Sequence, residues 1–165
     1  MPITPFHFGP GVLFAGAAPR RVSLIAFVAA NCITDVESIY NVLTGNFPYH
    51  RFLHTFLGAV VVTVLTIGLF LFTRQLARKF PLPNWFSWQQ LTLVPVTVGA
   101  LLGSFSHIVL DGVMHADMRP FAPWSDANPF LHGVSMGVLH WGCVAAAVPG
   151  GLLWLLFQRR KQPRV

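Results

Sequence analysis

Four pairs of polar residues stand four positions apart in an otherwise apolar chain: Asn31 and Asp35, His50 and His54, His107 and Asp111, and Asp111 and His115. Residues at i and i+4 stack on one face of an α-helix, so each pair can offer two ligand atoms to the same ion. Imidazole with carboxylate suits zinc, and further oxygen ligands extend the choice to manganese, iron or a mixed dinuclear site. Glu37 stands two residues after Asp35, and Arg51 lies inside the His50 and His54 pair, where a guanidinium can hold a phosphoryl oxygen, pair with Asp35 or Glu37, or reach lipid headgroups. Taken singly, Asp117, Asp126 and His132 read as ordinary hydrated side chains.

The elements that must position these residues are membrane helices. The chain has 165 residues, 54% of them hydrophobic and 10% charged, which is too little polar surface for a water-soluble globule. An apolar core of about 30 Å needs roughly 20 helical residues, and Phe52 to Phe72, Leu91 to Leu110 and Val134 to Phe157 meet that requirement. The stretch from Arg21 is apolar to Ala30 and then turns polar through Asn31, Asp35 and Glu37, as a span would whose far end is a functional surface. Before it, Thr4 and Pro5 supply a cap and a first-turn proline for a short helix that Pro10 interrupts and Pro19 ends.

These signals predict an all-α polytopic bundle forming a single domain over 1–165, with helices near 5–18, 21–40, 50–79, 89–115 and 129–159. Asn128 and Pro129 read as the cap of the last helix. Trp85 and Trp88 read as an interfacial belt. Cys32 and Cys143 lie in apolar segments and read as buried thiols, with neither a disulfide framework nor a CxxC site. The N-terminus lacks the basic region of a cleaved leader, so Met1 is expected to begin the mature chain.

Basic residues set the orientation. Arg20, Arg21, Arg74, Arg78, Lys79, Arg159, Arg160, Lys161 and Arg164 all flank one side of the expected bundle, and Arg51 and Arg119 fall on the other. Cytoplasmic loops are enriched in Lys and Arg, which places the N-terminus outside and the C-terminus in the cytoplasm of an inner-membrane protein. The net charge of +6 is thereby a topology signal, since the basic residues form no amphipathic stripe of the kind that binds nucleic acid. On this topology the five acidic residues and seven histidines, His7 and His140 included, all gather at or near the non-cytoplasmic face. A structureless distribution would scatter them over both faces.

The motifs resemble those of the YdjM-like membrane-bound metal-dependent hydrolases, which look distantly related to zinc-dependent phospholipase C. The resemblance involves Thr4-Pro5-Phe6-His7, Thr34-Asp35-Val36-Glu37, His50-Arg51-Phe52-Leu53-His54-Thr55, and Ser106-His107 followed by Asp111-Gly112, in that order over most of the chain. It implies that His7, Asp35, His50, His54, His107 and Asp111 are metal ligands or close neighbours, with a metal-activated water as nucleophile. The acidic turn departs from the family's Pro-Asp-x-Asp at Thr34 and Glu37, and Phe52 and Leu53 stand where Gly and Thr are usual.

The expected function is hydrolysis of a phosphoester, such as a lipid headgroup linkage, by a divalent ion (zinc, or manganese or iron) bound by His and Asp at the outer face. Asp35 or Glu37 would accept a proton and Arg51 would hold a phosphoryl oxygen. The rival is a non-catalytic metal-binding or structural membrane protein, since a closed coordination sphere uses the same residue types. Haem ligation fits less well with several carboxylates nearby, and transport lacks an ionisable residue at the midplane on paired broken helices.

Overall fold

A computed structural model describes residues 5–161 of the chain. Thr4, expected to cap the first helix, and Arg164, counted with the basic residues, lie outside the described residues. Among those described there are five α-helices, no strand and three short 3-10 turns: α1 (Phe8–Ala17), α2 (Leu24–Thr44), α3 (Phe56–Ala77), α4 (Leu93–Met114) and α5 (Met136–Lys161), with turns at Pro5–His7, Phe52–His54 and Trp85–Gln90.

Local chemistry sets the helix ends, and it moves several of them from where periodicity alone put them. Ser23 caps α2 by accepting from the Ala26 amide, and Gly45 stops it in the left-handed conformation (φ 69°), so the helix runs past Tyr40 to Thr44. Thr55 caps α3 by accepting from the Gly58 amide, so α3 begins at Phe56 and not near residue 50. His50 and His54 therefore do not share an α-helical face; His54 rides on a 3-10 turn, and His50 on the irregular chain before it. Asn128 does not open the last helix. Its amide donates to the carbonyls of Gly112 and His115, closing the end of α4, and α5 starts later at Met136. Pro10 does not break α1, because it falls in the first turn, where no intrahelical amide bond is lost.

Small residues bring the helices close. Gly9 and Gly16 of α1 meet the backbone of Cys143 and Gly150 of α5, which makes that pair parallel and in close contact. Gly99 and Gly103 of α4 meet the backbone at Ser23 and Phe27 of α2, and the Ser23 amide donates to the Pro95 carbonyl at 2.9 Å. Ala26, Ala30, Val62, Val96 and Ala100 fill the space among α2, α3 and α4. Beside them, the Thr63 and Ser104 hydroxyls lie 3.0 Å apart, joining α3 to α4. With α2 and α4 rising together, α3 descending, and α1 and α5 starting at the same end, five elements converge at one level.

Three of the helices, α3, α4 and the Met136–Arg159 part of α5, are long and apolar enough to cross a membrane. The sequence reading expected five membrane helices. α1, with ten residues, reaches only about 15 Å, half of a bilayer core. α2 is long enough, but from Asn31 onward it buries Asn31, Thr34, Asp35, Ser38 and Asn41 against the bundle. The outer surface of α3 and α5 is apolar and exposed at Val64, Phe72, Val138, Trp141 and Leu155, as expected of side chains in contact with lipid.

Candidate metal centre

The centre is built first on α4, where the four-residue spacing of His107 and Asp111 puts His107 Nε2 3.2 Å from Asp111 Oδ2. From α2, whose approach Gly99 and Gly103 permit, Asp35 Oδ1 comes within 3.3 Å of the same His107 Nε2. The 3-10 turn before α3 adds His54, whose Nε2 lies 3.7 Å from both Asp35 Oδ1 and Asp111 Oδ2. His7, ending the turn before α1, brings Nε2 to 3.1 Å from Asp111 Oδ1. His50 Nε2 stands 3.9 Å from Asp111 Oδ2, and the His115 ring stacks on that of His50 with centroids 4.2 Å apart.

Two ligand groups result. One ligand atom from each of Asp35, His54, His107 and Asp111 lies within 4.8 Å of all the others, and so does one from each of His50, Asp111 and His115. Asp111 belongs to both. A carboxylate has two oxygens, so one residue can serve two neighbouring ions. His54 and His107 are wholly buried (0% exposed), whereas His115 is half-buried, so the first group is closed to solvent and the second opens toward it.

Hydrogen bonds outside the ligand groups fix which nitrogen faces inward. Asn31 donates its Nδ2 to the Phe27 and Gly103 carbonyls (2.9 and 3.4 Å), which leaves its Oδ1 to accept from His107 Nδ1 at 3.0 Å. With Nδ1 engaged by Asn31, His107 turns Nε2 toward Asp35 and Asp111. Asp117 does the same for His50. It accepts from the amides of Tyr49 and His50 and from His50 Nδ1 at 2.9 Å, so Nε2 of His50 faces Asp111. Burial disfavours the Asp117 charge, but these hydrogen bonds prevail and hold its carboxyl below the usual range. Burial also pushes the imidazolium of His54 down to about 4, against the opposing pull of Asp35, so the ring is a neutral donor at ordinary pH.

One further observation singles the place out. Asp35 Oδ1 and His107 Nε2 are buried and have no hydrogen-bond partner, although they face each other across 3.3 Å. Two polar atoms so enclosed and so close require a proton or a cation between them, and unsatisfied buried polar atoms are rare enough to need such an account. The mixed set of imidazoles and carboxylates fits a divalent ion. It does not suit haem, because the rings of His7, His50, His54 and His107 touch one another edge to face and leave no slot for a porphyrin.

The remaining residues singled out in the sequence fall outside the ligand groups. Glu37 accepts from the Leu53 amide at 2.7 Å, so it anchors the turn that carries His54. Arg51 is exposed and donates to the carbonyls of Pro48, Asn46 and Phe47. Asp126 pairs with Arg119 at the surface, His132 sits in a left-handed turn (φ 57°), and His140 stacks on Phe6 at 4.4 Å. Sequence reasoning missed two positioning groups. Asp117 read as a wet loop residue, and nothing but its nearness to His115 signalled otherwise. Asn31 entered only as half of a spaced pair, although an Asn deep in an apolar helix was the available clue.

Helices long and apolar enough to cross a membrane, packed around a His and Asp cluster that could hold a metal ion, define a helical membrane protein with a buried candidate metal centre. The sequence model of the YdjM inner membrane protein family matches residues 1–164, and the chain belongs to that family. No curated protein and no solved structure matches it.

Proposed function

We propose that the protein is a multi-pass enzyme of the bacterial inner membrane that uses a divalent ion, zinc or else manganese or iron, to hydrolyse a phosphoester at the non-cytoplasmic face. The observation that carries this reading is the pair of enclosed polar atoms, Asp35 Oδ1 and His107 Nε2, aimed at one point with His54 and Asp111 beside them. A divalent ion held there would polarise a phosphoryl oxygen and ease the deprotonation of water. The chain's own residues divide the remaining tasks. Asp35, His54, His107 and Asp111 form the closed group, which secures an ion. His50, Asp111 and His115 form a three-residue group facing solvent, which leaves room for substrate. Asp117 keeps the proton of His50 on Nδ1, and Glu37 holds the His54 turn in place. A non-catalytic, structural metal site is the second reading, favoured by the complete burial of His54 and His107.

The test is elemental analysis of detergent-purified protein beside Asp111→Ala and His54→Ala, followed by assays on lipid and soluble phosphoesters. Metal in the wild type that both variants lose, together with metal-dependent release of phosphate or headgroup, is the expected result. Metal that both variants lose without any phosphoesterase activity would leave the structural reading, and wild-type protein devoid of metal would remove both.

A further inference from the structure

A cavity of about 480 Å³ opens beside the centre, walled by the chain leading into α3 and by the loop after α4. His50, Arg51, Thr55 and Arg119 line it, with Phe52 and Leu57 among its apolar neighbours. Among the described residues, Arg51 and Arg119 stand apart from Arg20, Arg21, Arg74, Arg78 and Lys79, which lie at the opposite ends of the helices. They come from separate segments, and the fold brings both to this one cavity. His50 joins it to the metal centre, since the same ring belongs to the ligand group shared with Asp111 and His115.

Each guanidinium has capacity left. Arg51 uses Nε and Nη2 on the carbonyls of its own loop, which fixes its plane and leaves Nη1 available. Arg119 donates Nη1 to Asp126, but the two side chains are 59% and 79% exposed, so the pair is hydrated, screened and readily shared with another anion. The third carboxylate nearby, Asp117, is turned to His50 and to two backbone amides. Planar guanidiniums match phosphate oxygens in geometry and charge. Phe52 and Leu57 expose apolar surface at the mouth, where α3 enters its membrane-spanning stretch.

We propose that this cavity holds the anionic phosphate group of the ligand between Arg51 and Arg119, directly beside His50, and that Phe52 and Leu57 receive any alkyl portion. The assignment deepens the phosphoester reading by naming where the substrate's charge is bound. Its test uses the full chain in detergent after metal has been stripped by a chelator, so that phosphate held by an ion does not contribute. Calorimetry would measure inorganic phosphate, dihexanoyl phosphatidate and the phosphate-free dihexanoylglycerol against wild type, Arg119→Gln, Arg51→Gln and Asp126→Asn. The expected result is that both phosphate probes bind, that Arg119→Gln weakens them about tenfold or more, and that Asp126→Asn, by freeing Arg119, tightens them. Phosphatidate binding more tightly than phosphate identifies a lipid source, and equal affinities identify a free phosphate or small phosphoester. Affinities unchanged in both arginine variants, or dihexanoylglycerol binding as tightly as phosphatidate, would overturn the assignment. Metal content, measured separately on Arg119→Gln, stays at the wild-type level, so a failure here and a failure of the metal reading are seen in different measurements.

Discussion

Asn31 shows how one side chain outside a ligand set can decide its chemistry. Its amide group is oriented by the Phe27 and Gly103 carbonyls, and its oxygen then fixes the proton of His107 on Nδ1. Asn31→Ala releases the ring and is expected to weaken metal binding about 10- to 100-fold, the usual effect of losing such a partner. Asn31→Asp keeps an acceptor for His107 Nδ1 and is expected to retain more affinity than Asn31→Ala. Competition titration against a chromophoric chelator distinguishes the two, and equal losses would mean that packing, not orientation, is what Asn31 provides. Glu37 makes the parallel case for a residue whose type suggested chemistry. Because its carboxylate accepts the Leu53 amide, Glu37→Ala should cost about 1.5–3 kcal/mol of stability, whereas Glu37→Gln, which keeps the acceptor, should cost less. Thermal unfolding reads this directly. Full metal content in both variants is expected, and loss of metal in Glu37→Gln would make Glu37 a ligand, a role neither the sequence nor the fold assigns it.

At the scale of helices, the site exists because α2 and α4 touch. A Cβ on Gly103 would stand 2.5 Å from the Phe27 carbonyl oxygen, a backbone atom that cannot swing away. Gly103→Val is therefore expected to push the helices apart, separate Asp35 from His107, and abolish metal binding along with much of the thermal stability. Gly68 on α3 has open space around its Cβ position, so Gly68→Ala should leave metal content unchanged. Parallel metal analysis of the two variants, with circular dichroism for helix content, checks this. Helices were also where the sequence was most and least informative. Long apolar runs announced α3, α4 and α5, and the candidate residues on α4 were legible because His107 and Asp111 share one uninterrupted helix. His50 and His54 lie near each other, but not on a helical face, and they fall in different candidate groups: Thr55 caps α3 after them, and a 3-10 turn brings His54 inward. Asn128 carried a helix-start signature that the fold uses to close the preceding helix instead. The Asn128 signal misleads because a capping side chain reads the same locally whichever helix end it meets in space.

Across the whole molecule, the centre fastens together parts of the chain that apolar packing joins only loosely in a lipid environment, where burying apolar surface against other helices gains little over lipid contact. Asp35, His54, His107 and Asp111 come from α2, from the turn before α3 and from α4, and His7, on the turn before α1, reaches Asp111, so an ion bound to that group ties three segments directly and a fourth through Asp111 at one end of the bundle. Anything that binds the folded state alone stabilises it, by about 2.7 kcal/mol when the free ligand is a hundredfold above its dissociation constant. For a chain of this size that corresponds to a fall in Tm of about 5–10 °C when the ion is removed. Chelation of the wild-type protein should produce that fall, and readdition of zinc or manganese should reverse it. Asp111→Ala, which lacks the carboxylate common to both ligand groups, should melt at one temperature whether chelator is present or not. A wild-type protein that loses all its metal to the chelator yet keeps its Tm would show that histidine and aspartate alone hold this end of the bundle together, with protons in place of the ion.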